Sequence, residues 1–452
     1  MERPMGRRGF VALVGAAGLS ALGLAGCDAA PSNGTRDGRP RVELVLKSAA
    51  QEMNCVSDPS VDNTRAFLER AAQAFCDQYE DADVSVRVRM FALADEVEAV
   101  TGSFDTSDAP DVLYGSFFNM MGYVQMGRVV PLDDVISDEL RSDIYDFAWS
   151  MAAFDGKTYM MPFLDMQNVL IYNKRFFRDC GLDEYCEAGS EIQDWTMDQW
   201  TEVLDALAQG LPLDVHPLAM YAKNNQGDTH IMSYLRAFGG TVFDEDGSFD
   251  FQSPETVEAL AWLQGGVDRD WYPPHAENLE MKDCSELFSS KKLVIYNFNG
   301  ANKNLYDDLD NYGFVNYPGG VATSFVNGFE VFDNADPEKV RVAKDFLRYV
   351  YATPELLDLS AGTLPVSASV SRRYADQILM LEEFEANVGH VVNFTNNSPN
   401  WQGSDDSVRS VFYPHIADLL AGRVTPEECA AALDADCNAA LEAGRERTQL
   451  HE

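Results

Sequence analysis

The sequence predicts an α/β protein of two lobes joined by three chain crossings, with a ligand cleft between the lobes. Three observations lead there. The chain has 452 residues, more than one hydrophobic core ordinarily serves, so two domains are expected. From residue 42 to 127 the periodicity runs strand, helix, strand, helix, strand, helix, the order of a parallel sheet with helices on its faces. Three apolar strands are each broken by a polar insert: Asp165-Met166-Gln167-Asn168, Asn297-Phe298-Asn299-Gly300 and Asn327-Gly328. A strand that turns polar and then resumes is either a surface bend or the lining of a cleft. Three of them in one chain predict crossings between lobes.

The elements follow from local pattern. Val42 to Leu46 reads as a first strand. Helix 64–79 puts Phe67, Leu68, Ala71, Phe75 and Tyr79 on one face. Val84, Val86, Val88 and Met90 alternate strictly, as a strand does. Residues 93–103 read as a helix, Asp111 to Tyr114 as a short buried strand, and 117–127 as a helix. Ligands of such sheets sit beyond the carboxyl ends of the strands, which places loop 47–63, residues 114–117 and the 165–168 insert on one rim. Thr196 is the expected cap of the next helix. Asp246-Gly247 reads as a hairpin turn rather than half a calcium loop, because the remaining ligand positions are missing. Ser253-Pro254 and Asp336-Pro337 open helices 254–267 and 338–351, and the tail to 443 is mostly helical.

The formal net charge is −39, which argues against nucleic acid and anionic lipid surfaces as direct partners. Arg3, Arg7 and Arg8 precede a weakly apolar run, 9–25, and Leu24-Ala25-Gly26-Cys27 closes it. This fits a lipoprotein signal peptide, 1–26, with Cys27 acylated as the first mature residue. The arginine pair also fits twin-arginine export, so the export route stays open. Residues 27–41 read as a flexible tether, and the expected location is the outer face of the cytoplasmic membrane, held there by lipid. Seven cysteines remain, and export permits disulfides. Cys55 with Cys76, and Cys180 with Cys186, are the candidate pairs. Cys429 and Cys437 would be ~12 Å apart on one helix, beyond disulfide reach. Neither cysteine nor histidine spacing suggests a metal site, and no cofactor is expected.

The order of segments resembles extracellular solute-binding proteins of ABC importers, in the group that holds maltose-type sugar binders. The similarity covers about 42–443. It rests on Pro131-Leu132-Asp133-Asp134 after Asp111-Val112-Leu113-Tyr114, and on Asp155-Gly156-Lys157-Thr158-Tyr159-Met160-Met161-Pro162 before Leu170-Ile171-Tyr172-Asn173-Lys174. Trp195-Thr196, Phe238-Gly239-Gly240, Phe288-Ser289-Ser290-Lys291-Lys292-Leu293, Asn327-Gly328-Phe329, Phe346-Leu347 and Leu364-Pro365 follow in order. The resemblance implies a periplasmic-binding-protein-like fold that closes on its ligand. Its lobes would be 42–164 plus 299–328, and 165–298 plus 329–452. It also implies a monomer that takes a small solute, a carbohydrate in this group, and delivers it to the permease of an ABC transporter. The aromatic that such sugar binders place after Asn299-Gly300 is missing; Ala301-Asn302-Lys303 stands there, and Trp401 is a candidate replacement.

A sugar needs bidentate polar side chains for its hydroxyls and an aromatic face for its C–H surfaces. Asp165, Gln167 and Asn168 in the first insert, Tyr114 and Ser116 at a strand end, and Asn299 and Asn327 in the other inserts are the candidate contacts. Asn225 and Asp228 lie in the loop where the resembling proteins reach ligand from the second lobe. Some have a structural alternative: hinge-backbone hydrogen bonds for Asp165, Gln167 and Asn168, helix capping for Asp228, packing on a surface helix for Trp401. The leading expectation is a binding protein and no enzyme. An exported enzyme on the same scaffold would need a nucleophile, and Met166 stands in the hinge insert instead. A sensor without a permease cannot be told from an importer component by sequence.

Overall fold

The computed structural model describes residues 35–36, 39–53, 55–187, 189–223, 228–299, 308–362, 364–402 and 406–449. Cys27, Asn225 and the 300–303 segment lie outside them, as do the signal peptide and most of the tether.

Two mixed sheets carry the fold. The first half builds sheet one: β1 (Arg39–Ala49), α1 (Thr64–Gln78), β2 (Asp83–Phe91), α2 (Glu96–Thr101), β3 (Val112–Ser116), α3 (Phe117–Gln125) and β4 (Met161–Asp165). Strands β1, β2 and β3 are parallel, as the alternation of strands and helices predicts. Sheet two starts with β5 (Gln167–Asn173), then β6 (His216–Leu218), β7 (Leu293–Asn299), β8 (Tyr312–Val315) and β9 (Ala322–Ser324). The chain then returns to sheet one as β10 (Asn327–Val331), which pairs antiparallel with both β3 and β4. Helix α4 (Pro337–Ala352) and strand β11 (Leu364–Pro365) complete that lobe. The tail crosses back, adds Val391–Val392 to sheet two beside β9, and ends in α5 (Val408–Leu420) and α6 (Pro426–Gln449).

The chain passes between the sheets three times. The first passage is a single residue, Met166, between β4 and β5. The second is Phe325-Val326, between β9 and β10. They are tied together: Met166 N donates to Phe325 O (3.3 Å) and Phe325 N to Met166 O (3.2 Å). The third lies in 366–390, after β11.

One expected crossing therefore moves. The insert at 297–300 is not a passage, because Asn297 and Asn299 pair with Leu170 and Asn168 inside sheet two. The lobe boundaries move with it. Strands β8 and β9, expected in the first lobe with 299–328, pair with β5 and so lie in sheet two. Phe329 to Val331 and α4, expected in the second lobe, pack into sheet one. The sequence marks polar residues in a strand, but hydrogen-bond partners decide which sheet the strand joins.

Sheet one is closed on one face by rings. Phe67, Tyr114, Phe163 and Phe329 meet with centroids 4.8–6.0 Å apart. Removing a fully buried Phe from such a cluster costs about 3–5 kcal/mol. The expected disulfides do not form: Cys55, Cys76, Cys180 and Cys186 are all free, as are Cys284, Cys429 and Cys437. The thiols have other neighbours. Cys55 meets the Ser57 hydroxyl at 3.1 Å, and Cys186 turns to the Lys174 and Leu182 carbonyls. Cys180 packs on Gly210, where a Cβ would sit 2.7 Å from its sulfur.

Asp165 sits at the first passage, 1 % exposed. Ser324 Oγ donates to its Oδ2 at 2.8 Å, the Met166 and Phe325 amides lie beside it, and no cationic side chain pairs with it among the described residues. Burial pushes its pKa up to about 7. The folded chain thus holds a proton there that the unfolded chain releases near pH 4, and this group's contribution to stability falls as pH rises between those values.

Two tests follow. Asp165→Asn should gain stability relative to wild type as pH rises from 4 to 7, by up to about 1.4 kcal/mol per unit, and level off above. Urea denaturation across that range checks it, and a pH-independent difference would refute the raised pKa of the buried carboxyl. Unfolded without reductant, the chain should react with a thiol reagent at all seven of these cysteines; a shortfall of two would mean a disulfide.

Candidate functional site

A cavity of about 880 Å³ opens between the lobes, within the size range of small-molecule sites. Helices α2 and α3 supply Glu96, Ser116, Phe118 and Asn119 from sheet one. The first two passages supply Met166 and Phe325, and the strands just past them supply Asn168 and Asn327. Sheet two and its loops supply Tyr221, His230, Asn297, Asn299 and Tyr317, and Gln402 and Arg409 form part of the remaining wall.

On the first lobe the site begins where β3 ends and α3 starts, at the carboxyl edge of the parallel strands. Ser116 caps α3, accepting from Phe118 N at 3.5 Å. Phe118 carries the Arg409 guanidinium over its ring, 4.1 Å from the centroid, and lies 6.2 Å from Phe325. Arg409 also donates to Gln402 Oε1. Charge and apolar surface thus share one corner of the cavity.

The second lobe presents a hydrogen-bonded wall centred on Asn297. Its Oδ1 accepts from Tyr317 Oη at 3.2 Å and faces His230 Nδ1 at 3.2 Å; its Nδ2 donates to Tyr221 Oη at 3.3 Å. His230 is fully buried and stacks on Tyr221 with centroids 4.9 Å apart. Burial pulls its pKa down to about 4, so the ring is neutral at pH 7. The ring also lies against the Ala219 backbone, and its Nε2 is buried inside the wall. Beside this wall, Asn299 Nδ2 reaches Asn168 Oδ1 at 3.5 Å, while Asn168 Nδ2 donates to Met166 O at 2.9 Å. The cavity therefore offers amides, hydroxyls and aromatic faces.

The expected residues divide. Ser116, Asn168, Asn299 and Asn327 all line the cavity, with Asn327 Nδ2 donating to Phe325 O at 3.3 Å. Tyr114 does not: strand parity turns its ring to the opposite face of sheet one, against Phe67 and Phe329. Asp165 and Gln167 lie behind the cavity. Gln167 is fully buried, donates to Phe384 O at 3.2 Å and accepts from Asn387 Nδ2 at 2.8 Å, so it fastens the third passage. Trp401 is 3 % exposed and packs edge-on to Phe118 and Phe394, supporting the cavity wall from behind. The backbone of Asp228 opens the helix Asp228–Tyr234. Among the described residues no group of three or more His, Cys, Asp or Glu is placed to hold a metal.

Sequence reasoning missed Glu96, Phe118, Asn119, Tyr221, His230, Tyr317 and Arg409. Asn297 was visible as part of a polar insert, and that break marks cavity lining rather than a crossing. His230 had no signal, since a lone histidine in an apolar helix reads as core.

With this geometry in hand, comparison with known proteins is informative. Residues 59–355 match the family of bacterial extracellular solute-binding proteins. The cyclic α-maltosyl-1,6-maltose binding protein of Arthrobacter globiformis superposes with a TM-score of 0.69 at 18% identity, covering 89% of this chain and 100% of that one. The GacH receptor of Streptomyces glaucescens, solved free and with acarbose, gives 0.65 at 16%, covering 89% and 99%. The diacetylchitobiose binding protein DasA of Streptomyces coelicolor is 22% identical over 265 residues, 56% of this chain and 58% of its own length. A putative binding protein of Brucella abortus is 22% identical over 174 residues, 38% of this chain and 40% of its own. The chain thus aligns with about two fifths to three fifths of the length of these curated relatives. The family match covers well over half of the chain, and the two-lobe fold agrees with it: the chain belongs to the bacterial extracellular solute-binding protein family.

Proposed function

We propose that this protein captures a hydroxyl-rich solute, a carbohydrate, between its lobes and delivers it to an ABC permease from a lipid anchor at Cys27. The observation that carries the reading is the cavity wall. Asn168, Asn297, Asn299 and Asn327 offer paired donors and acceptors of the kind vicinal hydroxyls take up, and Tyr221, Tyr317, Phe118 and Phe325 offer aromatic surface. Relatives whose names or bound ligands are maltosyl-maltose, acarbose and diacetylchitobiose support the class. Capture needs only that the solute stabilise the closed arrangement of the lobes over the open one; no bond is made or broken. The two tied passages make Met166 and Phe325 the natural hinge.

The sequence around Cys27 supports the anchor. None of the described helices is long and apolar enough to cross a membrane.

Titration with maltose, maltotriose, cellobiose and diacetylchitobiose should raise the melting temperature with at least one of them, since a ligand that binds only the folded state stabilises it. Against that sugar, Asn168→Ala combined with Asn297→Ala should weaken calorimetric binding by about 100-fold, the loss of two buried hydrogen bonds, while the fold persists. Full affinity in the double variant would overturn the site. An acyl probe fed to expressing cells should label the wild type and not Cys27→Ala; equal labelling would remove the anchor.

A further inference from the structure

On the face of sheet one that carries α2 and α3, two carboxyl groups are buried together at the floor of the cavity. Glu330 stands on β10 directly opposite Leu113 on β3. Leu113 and Gly115 are two apart and share a face, so Glu330 points to the side where Gly115 leaves room. Glu96 fills that room: a Cβ built on Gly115 would lie 3.2 Å from Glu96 Oε1. Helix α3 brings Asn119 and Tyr123, four residues apart, to the same place. The Tyr123 ring lies 5.5 Å from Phe332, two residues past Glu330 and just beyond the end of β10.

Asn119 donates to the Glu96 carboxyl, but most of the cluster's oxygens lack partners. Both oxygens of Glu330, Glu96 Oε1, Asn119 Oδ1 and Tyr123 Oη are buried with no hydrogen-bond partner among the described residues. Glu330 is 0 %, Tyr123 1 % and Glu96 3 % exposed. Lysine is at hand but occupied. Lys47 on β1 also pairs with Leu113, from the side away from Glu330, and its Nζ is held by Ala99 O at 3.1 Å and Asp108 at 3.1 Å. With strands about 4.8 Å apart, its Cα is roughly 10 Å from that of Glu330. Two buried carboxylates without countercharge are too costly to keep charged; burial raises both pKa values, Glu96 to about 7, so the pair holds protons unless a cation displaces them. Every unpartnered atom in the cluster is an oxygen, and four of the five can only accept while the carboxyls are ionised.

We propose that the Glu96–Glu330 pair, with Asn119 and Tyr123, forms a subsite for a compact cation at the cavity floor. All-oxygen donors of this kind suit a hard metal ion such as Ca²⁺, or the ammonium of an amino sugar. Glu96 and Asn119 line the cavity, so the cation reaches the pair from the cleft. The metal source is independent of the solute; the ammonium source rests on the capture reading above and narrows it to aminated sugars.

The experiment uses the mature chain after chelation. One portion is titrated with Ca²⁺ by calorimetry and with Tb³⁺ by sensitised luminescence. Another is titrated with glucosamine and with glucose. One equivalent of Ca²⁺ or Tb³⁺, weakened at least tenfold in Glu330→Gln and in Glu96→Gln, supports the subsite with a metal in it. Glucosamine binding that exceeds glucose binding and falls tenfold in the same variants supports it with an ammonium. If the folded wild type takes up neither cation, or if both variants, folded by circular dichroism, bind as tightly as wild type, the subsite is refuted and protons alone neutralise the pair. Sugar binding without cation binding would overturn this subsite and leave the capture reading standing.

Discussion

The arrangement depends on one reciprocal pair of backbone hydrogen bonds, Met166 to Phe325 and Phe325 to Met166. Strands leaving one sheet for another must turn their amide and carbonyl groups away from both ladders, and buried groups left so are expensive. Here each passage satisfies the other. The same junction is braced by side chains: Ser324 donates to Asp165, and Gln167 ties the first passage to Phe384 and Asn387 in the region of the third. A hinge of two short segments held to each other can bend while keeping its own hydrogen bonds, which suits a two-lobe closure better than a long flexible linker.

The site grows from that junction. Asn168 lies two residues past Met166, and Asn327 two past Phe325, so a change of angle at the hinge moves polar groups directly against the cavity contents. The walls on either side differ in kind. Sheet one contributes a helix start, an aromatic ring with an arginine stacked on it, and a buried acid. Sheet two contributes a network in which Asn297 is held by Tyr221, Tyr317 and His230. An amide fixed in this way is preorganised, so a bound solute does not have to order it. The acid pair at the floor sits outside this logic of neutral hydrogen bonds, and burial raises the pKa of both its carboxyls.

Much of the fold was legible in the chain. Strict alternation at Val84 to Met90 gave a strand at Asp83–Phe91, and the face of Phe67, Leu68, Ala71 and Phe75 gave a helix at Thr64–Gln78. Thr196 closes the expected cap with a full capping box. These are local decisions, made by periodicity and by side chains reaching their own backbone. The errors have a common cause. Tyr114 was placed in the cleft because it ends a parallel strand, yet parity sends it to the aromatic core while Ser116, two residues on, starts a helix and reaches the cavity. The insert at 297–300 was read as a crossing because it is polar, although polarity there serves the cavity. The cysteine pairs were near in sequence, but their side chains point into different packing environments.

The sequence by itself determined the number of lobes, the class of the main elements and the place of the first passage, because each of these is written in length, period or a contiguous motif. Only the tertiary structure decided which lobe owns 308–331, which polar residues share one cavity, and that Glu96 and Glu330 meet. Those facts depend on strand pairing between segments more than two hundred residues apart, such as Glu330 opposite Leu113. No local pattern encodes such a pairing; it is fixed by which sheet edge can accept the strand and which face can bury its side chains.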